Sequence, residues 1–472
     1  MMFLGCVLVL VNLVSVATGS SAGVKVTLTQ KGLEYGRQLG IDAIQQKLGT
    51  IKLSDISGSA NVVVGNVEYS LTGMQIGKIG LGNSAVGLVP GTGVKLSVAN
   101  GFINMRGNWE VKYFWFIKLS GSFELSVSEL AISTNIAVKS DVTGRPTISI
   151  INCAASVGSV SVRFDGGPSW LFNLFACFIN TPVRNILQEK ICPLVADSIP
   201  DMNRHLNTLN VLAKVDENAE IEYSMVGSPV ISNTMIEFGL KGEFYNIGQH
   251  KEPPFSPTPF SLASQATNML YLGVSAFSIN SAGFVYHRAG FLRQYITDDM
   301  IPSRSLFRLN TKTFGTFIPQ IEQMYPGLMM KLLFETVKEP NVTLQPNNMT
   351  VQASGRVTAY AIQPNSALSP VFVLNLEASV SANMYVTELK LAGNVILNKF
   401  DMSLETSNVG QFEVTSLSNI FTNILNFAVI PKINAHLQGG FPLPAIGKMK
   451  LMNTQLQVLK DYLLIGTDVQ II

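Results

Sequence analysis

The clearest structural signal in this sequence is the run FVLNLEASVSANMYV at residues 372–386. Its even-numbered positions, from Phe372 to Val386, are all apolar, whereas most odd-numbered positions are polar. Alternation with a period of two is typical of a β-strand that faces a core on one side and water on the other. At ~3.3 Å per residue the run extends about 50 Å. The pattern therefore predicts a strand long enough to cross a barrel or a highly twisted sheet.

A second alternating region changes phase partway along. Phe123 and Val127 are apolar at odd positions, and Leu130 and Ile132 continue the pattern at even positions. One extra residue between the two phases would keep all these side chains on the same face of the sheet. The phase change predicts a β-bulge, which bends and twists a strand.

Two segments of the first half have helical periodicity. The first covers residues 27–48, and its two glycines would let the helix approach another surface closely. The second covers residues 169–199 and should bend at Pro182 and Pro193. The predicted inward positions of these two helices are Leu33, Gly36, Gly40, Ile44, Leu48, Leu174 and Phe178.

The order of helix, strands and helix then repeats. Residues 275–290 and 417–437 are predicted helices on either side of the long strand, with Phe277, Val285, Ile424 and Phe427 among their apolar positions. Between the two copies, four prolines lie in residues 253–259, which favours a stiff extended linker. We predict two similar domains, residues 23–246 and 263–472, joined by a linker at 247–262.

The composition points to a large apolar interior. The chain has 472 residues, too many for one hydrophobic core. Apolar residues make up 47% and charged residues 14%, against a usual charged share of about 25%. An unusually large core or cavities for an apolar ligand would both explain these values.

The first residues resemble a secretory signal. Residues 1–22 are apolar and end in small residues, with cleavage expected between about Gly19 and Gly23. The mature protein would then be extracellular, where disulfides persist. Asn341 and Asn348 begin Asn-X-Thr sequences and are predicted glycosylation sites.

Three cysteines remain after removal of the signal. Cys177 and Cys192 both fall on the second predicted helix, roughly 22 Å apart at 1.5 Å per residue. A disulfide requires Cα atoms within about 7 Å, so these two cannot pair. Cys153 lies in a strand-like segment that can reach back to the helix. We predict the pair Cys153–Cys192.

No motif supports an enzyme. Residues 80–85 (GLGNSA) match a loose dinucleotide pattern but lie among predicted strands. Residues 19–23 (GSSAG) match a nucleophile elbow only at the signal cleavage site. The chain has 4 histidines, widely spaced. We therefore predict no catalytic residue, no metal, no cofactor and no nucleic-acid partner.

Several short runs resemble the family of bactericidal/permeability-increasing protein and lipopolysaccharide-binding protein. They occur in the family's order along the mature chain, and together they are more specific than any one of them. They are residues 30–40 (QKGLEYGRQLG), 144–147 (GRPT), 241–245 (KGEFY), 253–257 (PPFSP), 298–302 (DDMIP), 314–319 (FGTFIP), 440–444 (GFPLP) and 464–469 (LIGTDV).

The resemblance implies an α+β fold. It would be an elongated boomerang of two similar domains, each a highly twisted antiparallel sheet wrapped round long helices, with a central sheet at the junction. Each domain would hold an apolar tunnel for phospholipid acyl chains. Cys153 and Cys192 occupy the positions of the family's disulfide. The candidates for the tunnel lining are the inward positions of the four predicted helices named above.

The resemblance also implies binding of lipid A phosphates at a basic tip of the first domain. Here the tip departs from the bactericidal pattern, because around Trp109 only Lys112 and Lys118 stay basic. Aromatic rings follow at residues 113–116, of which Tyr113 and Trp115 are the candidates for membrane contact. The candidate phosphate-binding residues are Lys47, Lys52, Lys95, Arg106, Lys112 and Lys118.

Two functions follow from these expectations. The first is secreted innate immune recognition of lipopolysaccharide at the outer membrane of Gram-negative bacteria, with phospholipids such as phosphatidylcholine held in two pockets. The second is general phospholipid carriage without selectivity for lipopolysaccharide. The weak basic tip favours binding of more apolar and less ionic character than in bactericidal members.

Overall fold

The structure is a computed structural model that describes residues 21–62, 65–114, 116–167 and 169–472. The side chains of residue 62 and residues 169–178 are outside that description. So are residues 1–20 of the predicted signal peptide.

The first half begins with a strand and a long helix, continues with long strands, and returns through a second long helix. Its elements are β1 (Val24–Thr29), α1 (Gln30–Gly49), β2 (Ile56–Val62), β3 (Gly65–Gly80), β4 (Asn83–Val89), β5 (Gly93–Tyr113), β6 (Ile117–Ser140), β7 (Pro146–Ser156), β8 (Ser159–Asp165), α2 (Ser169–Ala196), α3 (Ile199–Leu206), β9 (Leu212–Lys214), β10 (Ala219–Glu222), β11 (Val230–Ile231), β12 (Met235–Leu240) and β13 (Glu243–Asn246).

The second half follows the same order. Its elements are β14 (Leu270–Ser275), α4 (Ala276–Arg288), β15 (Arg293–Ile296), α5 (Thr311–Gly315), α6 (Pro319–Met324), β16 (Met330–Thr336), β17 (Asn341–Gln345), β18 (Asn348–Ile362), β19 (Leu368–Thr387), β20 (Lys390–Ser407), α7 (Ser418–Ile424), α8 (Ile430–Gly439), β21 (Phe441–Pro442), β22 (Met449–Val458) and β23 (Tyr462–Ile471). One π-helical turn, Leu425–Val429, joins α7 to α8.

Each half is built on its own antiparallel sheet. The first sheet has the order β2-β3-β5-β6-β7, with β4 added to β5 and β8 to β6. The second has the order β15-β16-β18-β19-β20-β21, with β17 added to β18. In the first half, α1 and α2 bury Ile44, Leu48 and Val183 against the sheet. In the second half, α7 buries Phe421 against the second sheet. The predicted α+β architecture is confirmed.

A third sheet joins the halves, in the order β11-β12-β1-β14-β23-β22. The first strand of the chain pairs with the first strand of the second half, with Val24 opposite Val274. An ion pair next to this sheet joins Lys31 Nζ to Asp468 at 2.9 Å. Burial opposes ionisation of Asp468, yet hydrogen bonds from Lys31, Asn453 and the Met269 amide hold its pKa below its usual value.

The predicted bulge is present in β6. Ile103 lies opposite Val127 and Gly101 lies opposite Leu130, so two residues of β6 face one residue of β5. One of the extra residues, Glu129, has a φ of 55°. The bulge keeps Val127 and Leu130 in the same core despite the phase change.

The helix boundaries differ from the predictions in one respect that affects the site. The first helix was predicted from residue 27, but residues 24–29 form β1 and the helix begins at Gln30. Thr29 caps it by accepting a hydrogen bond from the Gly32 amide at 3.4 Å. The predicted helix at 169–199 ends at Ala196, and α3 follows.

The long helical run Val414–Gly439 is apolar enough to span a membrane by length and composition alone. Its residues Ile420, Phe421 and Ile424 are instead buried in the core of the second half. Core packing therefore accounts for the apolar residues of α7, whereas α8 contains no buried residue.

In both halves, an asparagine side chain fixes a helix to the edge of a sheet by hydrogen bonds. The Asn203 side chain on α3 donates to the Ile148 carbonyl at 2.9 Å and accepts from its amide at 2.8 Å. On α8, Asn434 makes the same two bonds to Val395, at 3.1 and 2.7 Å. Each side-chain amide takes the place of a neighbouring strand, so the N–H and C=O groups of Ile148 and Val395 are paired.

Replacing either asparagine should therefore destabilise the fold. Asn203→Ala or Asn434→Ala leaves two peptide groups without partners, and we expect a loss of about 1–3 kcal/mol in the free energy of unfolding. Chemical denaturation measures it. Asn210→Ala, at an exposed position, is the control. Variants as stable as the control would contradict this role.

Candidate functional site

An open apolar cavity of about 450 Å³ lies in the first half beside α1. This volume is within the range of about 300–1,000 Å³ typical of small-molecule sites. The described residues around it come from α1, α3, the first-half sheet, the central sheet and the loop before β22. They include Leu28, Leu33, Gly36, Leu39, Gly40, Ile44, Val86, Val94, Leu96, Ile136, Val138, Ile148, Met202, Leu206, Phe238, Ile446, Met449, Val469 and Ile471.

Two glycines of α1 leave space on the face of the helix that borders the cavity. A Cβ added at Gly36 would meet nothing within 4 Å, and one at Gly40 would meet only the Met202 Cε at 3.6 Å. Gly32 differs, since a Cβ there would lie 2.6 Å from the Met269 carbonyl oxygen. Gly32 allows close packing, whereas Gly36 and Gly40 border open space.

Four of the predicted lining residues border this cavity, namely Leu33, Gly36, Gly40 and Ile44. Leu48 is instead fully buried in the first core. The side chains of Leu174 and Phe178 lie outside the described residues. The sequence did not point to Met449, Val469 and Ile471, which come from the end of the chain and line the cavity of the first half.

In the second half, the predicted lining residues are placed differently. Phe277 is buried and its ring packs edge-on against Phe255, with centroids 5.8 Å apart. Val285 and Ile424 are completely buried in the two cores of this part of the chain. Phe427 is 44% exposed. The cavity beside α4 measures about 40 Å³, which is too small for an acyl chain, so a second lipid pocket stays a prediction.

The β5–β6 hairpin ends in exposed aromatic rings. Phe114 is 52% exposed with a φ of 47°, and Phe116 is 68% exposed. Tyr113 is half-buried and packs against the first core. Trp115 lies outside the described residues. The sequence singled out Tyr113 and Trp115, and the structure adds Phe114 and Phe116 as the described rings that face solvent.

One carboxylate offsets part of the positive charge of the lysines at this tip. Lys118 Nζ lies 2.6 Å and Lys112 Nζ 3.5 Å from the carboxylate oxygens of Glu110. The hydrogen bond from Lys118 lowers the pKa of Glu110 below its usual value, so this carboxylate stays charged at neutral pH. The tip therefore presents apolar rings, and Glu110 leaves its two lysines with one net positive charge.

The other predicted phosphate-binding residues do not gather at the tip. Arg106 pairs with Glu124 at 3.2 Å, and Lys47 pairs with Asp201 at 2.8 Å. Lys95 lies near the start of β5, about 55 Å along the strand from Lys112. Lys52 follows α1. Of the six, only Lys112 and Lys118 lie side by side, as a cross-strand pair.

The remaining predicted features are covalent. Cys153 and Cys192 form a disulfide with Cα atoms 5.8 Å apart, which ties β7 to α2 and should stabilise the fold by roughly 4 kcal/mol on the loop-closure model. Asn341 and Asn348 are both exposed on the β17–β18 hairpin.

Among the described residues no group of three His, Cys, Asp or Glu side chains could hold a metal ion.

Family models match nearly the whole chain. The model described as the N-terminal domain of the LBP/BPI/CETP family matches residues 32–209, and the model of the C-terminal domain matches residues 213–471. The chain is 62% identical to a bactericidal permeability-increasing protein of Sebastes schlegelii over 470 residues, which is 99% of each chain.

Similarity extends to lipopolysaccharide-binding proteins. The protein of that name from Bos taurus is 34% identical over 463 residues, covering 98% of this chain and 96% of that one. A crystal structure of lipopolysaccharide-binding protein matches with a TM-score of 0.68 and 33% identity, over 96% of this chain and 99% of that chain.

Filling the space at Gly36 tests whether the cavity binds a hydrocarbon chain. In Gly36→Leu the new side chain enters the cavity without meeting backbone, so we expect affinity for a fluorescent fatty acid to fall at least about tenfold. Thermal stability should hold or rise, because leucine favours a helix by up to about 1 kcal/mol over glycine.

Gly49→Leu is the matched control, since Gly49 also lies in α1 and a Cβ there meets nothing within 4 Å. It is not among the cavity residues. Equal probe affinity in the two variants would show that the probe binds elsewhere.

Proposed function

Because this chain belongs to the LBP/BPI/CETP family, we propose that it is a secreted innate immune protein that binds lipopolysaccharide of Gram-negative bacteria. Lipid acyl chains occupy the cavity beside α1, and the hairpin tip contacts the bacterial outer membrane. The observation that carries this proposal is the open cavity of about 450 Å³ with an almost wholly apolar lining.

The cavity supports acyl-chain binding on energetic grounds. Each CH₂ group removed from water contributes about 0.8 kcal/mol. Gly36 and Leu39 line the cavity and are exposed to solvent, so a chain can enter beside α1. Without a bound lipid, the apolar side chains that line the cavity would be in contact with water.

The tip supports contact with a lipid surface. Phe114 and Phe116 project from the end of a hairpin, and their exposure in an unbound protein is unfavourable unless another apolar surface receives them. The ion pairs of Glu110 limit the attraction of the neighbouring lysines for phosphates. Binding is therefore driven more by ring insertion than by charge.

General phospholipid carriage is the second candidate function. The observation that supports it is the same cavity. A carrier would bind neutral phosphatidylcholine vesicles as well as it binds lipid A. Titration of the purified protein against both separates the two functions: selective binding of lipid A supports recognition of lipopolysaccharide, and equal binding supports carriage.

The rings at the tip should determine affinity for lipopolysaccharide. Burying one phenylalanine ring contributes about 1.5–3 kcal/mol, so Phe114→Ser/Phe116→Ser should weaken binding to lipopolysaccharide micelles by at least about tenfold in surface plasmon resonance. Phe317→Ser, which removes an exposed ring of the second half, is the control. A tip variant that binds like the control would exclude the rings from the contact.

The salt dependence of binding should be weak. Since Glu110 already pairs with both tip lysines, raising NaCl from about 0.05 to 0.5 M should weaken lipopolysaccharide binding less than about tenfold, although the Debye length shortens several-fold. Isothermal titration at several salt concentrations measures this. A loss of about a hundredfold or more would mean that ionic contacts dominate.

A further inference from the structure

A histidine of α8 is enclosed where the two halves of the chain meet. The His436 ring lies among the rings of Tyr286, Phe291 and Phe441, at centroid distances of 4.7, 4.6 and 6.2 Å. Its Nε2 atom is buried and makes no hydrogen bond to the described residues. Burial of a polar atom without a partner is unfavourable. Fold stability alone therefore does not explain a histidine at this position.

A carboxylate of the first half lies next to this nitrogen. Asp216, in the turn between β9 and β10, has its Oδ2 atom 3.4 Å from His436 Nε2. The same oxygen accepts a hydrogen bond from the Tyr286 hydroxyl at 2.7 Å. Its Oδ1 atom accepts from the amides of Asn218 and Ala219, at 2.7 and 2.9 Å. Because Asp216 already accepts three hydrogen bonds, it compensates a charge on His436 only in part.

Burial keeps the enclosed ring neutral. It lowers the pKa of His436, and the charge of Asp216 offsets part of that effect. Burial and the hydrogen bond to Asp216 raise the pKa of Tyr286, so its phenol remains a donor. Other charged or titratable side chains of the surrounding elements have their own partners or are exposed: Lys432 lies over Phe291, Lys390 donates to the Gly439 carbonyl, His287 bonds to Thr336, Arg288 lies over Phe284, and Lys214 and Glu217 are exposed.

The segment that follows α8 is tied to the first half. We call residues 440–449 the strap. The Tyr223 hydroxyl donates to the carbonyl of Pro442 in the strap at 2.6 Å. The amide of Gly447 donates to the Thr208 hydroxyl, also at 2.6 Å. These two hydrogen bonds join a segment of the second half to the β9–β10 region and to the end of α3.

The strap also forms part of the wall of the cavity beside α1. Pro444, Ile446 and Met449 are among the residues that line it. His436 lies shortly before the strap, on a helix that contains no fully buried residue. A helix held this lightly can move when one of its contacts is lost. The contact of His436 with the first half therefore affects how firmly the strap closes the cavity.

We propose that His436 is a pH-sensitive contact, which holds the strap against the first half at neutral pH and loosens it at mildly acid pH. When the imidazole gains a proton, it leaves the aromatic rings for water, and α8 moves with it. The strap then loses its anchor. Faster release of lipid at acid pH is a consequence that rests on the proposed acyl-chain site, whereas the loosening of the strap does not.

The direction of the effect follows from the two states of the ring. In the loosened state the ring is solvated and has the ordinary histidine pKa of about 6.5. In the enclosed state its pKa is lower. As the pH falls from about 7.5 to about 5.5, the loosened state takes up the proton first, which favours loosening by at most about tenfold. At alkaline pH neither state is charged, and the strap is held most firmly.

Hydrogen–deuterium exchange of the strap tests the proposal. The purified protein is labelled at about pH 7.5 and about pH 5.5, with times scaled for intrinsic exchange rates, and mass spectrometry gives the protection of peptides from residues 440–449. In the wild type, protection of the strap should fall by about three- to tenfold at the lower pH. Peptides from β5 should keep their protection. An equal fall in β5 would mean general unfolding and would contradict a local contact.

Two variants remove the titrating group. His436→Gln is neutral at both pH values, and His436→Phe also keeps an aromatic ring among its neighbours. In both, protection of the strap should change by less than about twofold between the two pH values, whatever its level at neutral pH. His205→Gln, at an exposed position of α3, should respond like the wild type. A wild type without a pH response, or His436 variants that retain it, overturns the proposal.

Release of a fluorescent phosphatidylcholine, whose headgroup charge is the same at both pH values, tests the consequence for lipid. Its dissociation from the wild type should be about three- to tenfold faster at the lower pH, and equally fast at both in His436→Phe. A protein that binds no probe contradicts the acyl-chain site, while exchange of the strap still tests His436. Equal release at both pH values from a wild type whose strap loosens overturns the link between strap and lipid.

Discussion

The apolar face of the first antiparallel sheet must be covered, and in this protein the helix that lies over it has two glycines beside open space. Where α1 crosses the first sheet, Gly36 and Gly40 offer no side chain to the facing strands. Elsewhere the same helix closes the core with Ile44 and Leu48. Apolar surface kept from water is worth about 25 cal/mol per Å², so the hydrocarbon chain of the proposed lipid would stabilise the uncovered stretch.

The same cavity depends on both ends of the chain. Val469 and Ile471 of β23 form part of its wall, and the Tyr35 hydroxyl binds the backbone of Ile471. The ion pair between Lys31 and Asp468 fixes α1 to the strand that carries those residues. The two halves are thus joined by a shared sheet as well as by the proline-rich linker, and the second half contributes directly to the site of the first.

Local patterns were sufficient to predict the long elements. The alternation at residues 372–386 predicted the strand β19, and the phase change after Val127 predicted the bulge in β6. Local patterns predicted the wrong secondary structure where pairing with distant strands determines it. Residues 24–29 pair with two distant strands, so they form β1 although a helical pattern overlaps them.

The candidate site was predictable only in part for the same reason. Gly36 and Gly40 could be identified from helical spacing, whereas Val469 and Ile471 reach the cavity through the central sheet. At the tip, the sequence showed a group of rings but not the turn that exposes Phe114 and Phe116. Similarly, residue type identified six basic candidates, but the carboxylate partners of Lys47, Arg106, Lys112 and Lys118 depend on cross-strand and interhelix contacts.

The most direct test of the account is native mass spectrometry of the protein purified without detergent, before and after extraction with organic solvent. We expect the mass before extraction to exceed the mass after extraction by that of a phospholipid. A protein that carries no lipid before extraction, and takes up none from added vesicles, would contradict the claim that the open cavity beside Gly36 is a hydrocarbon site.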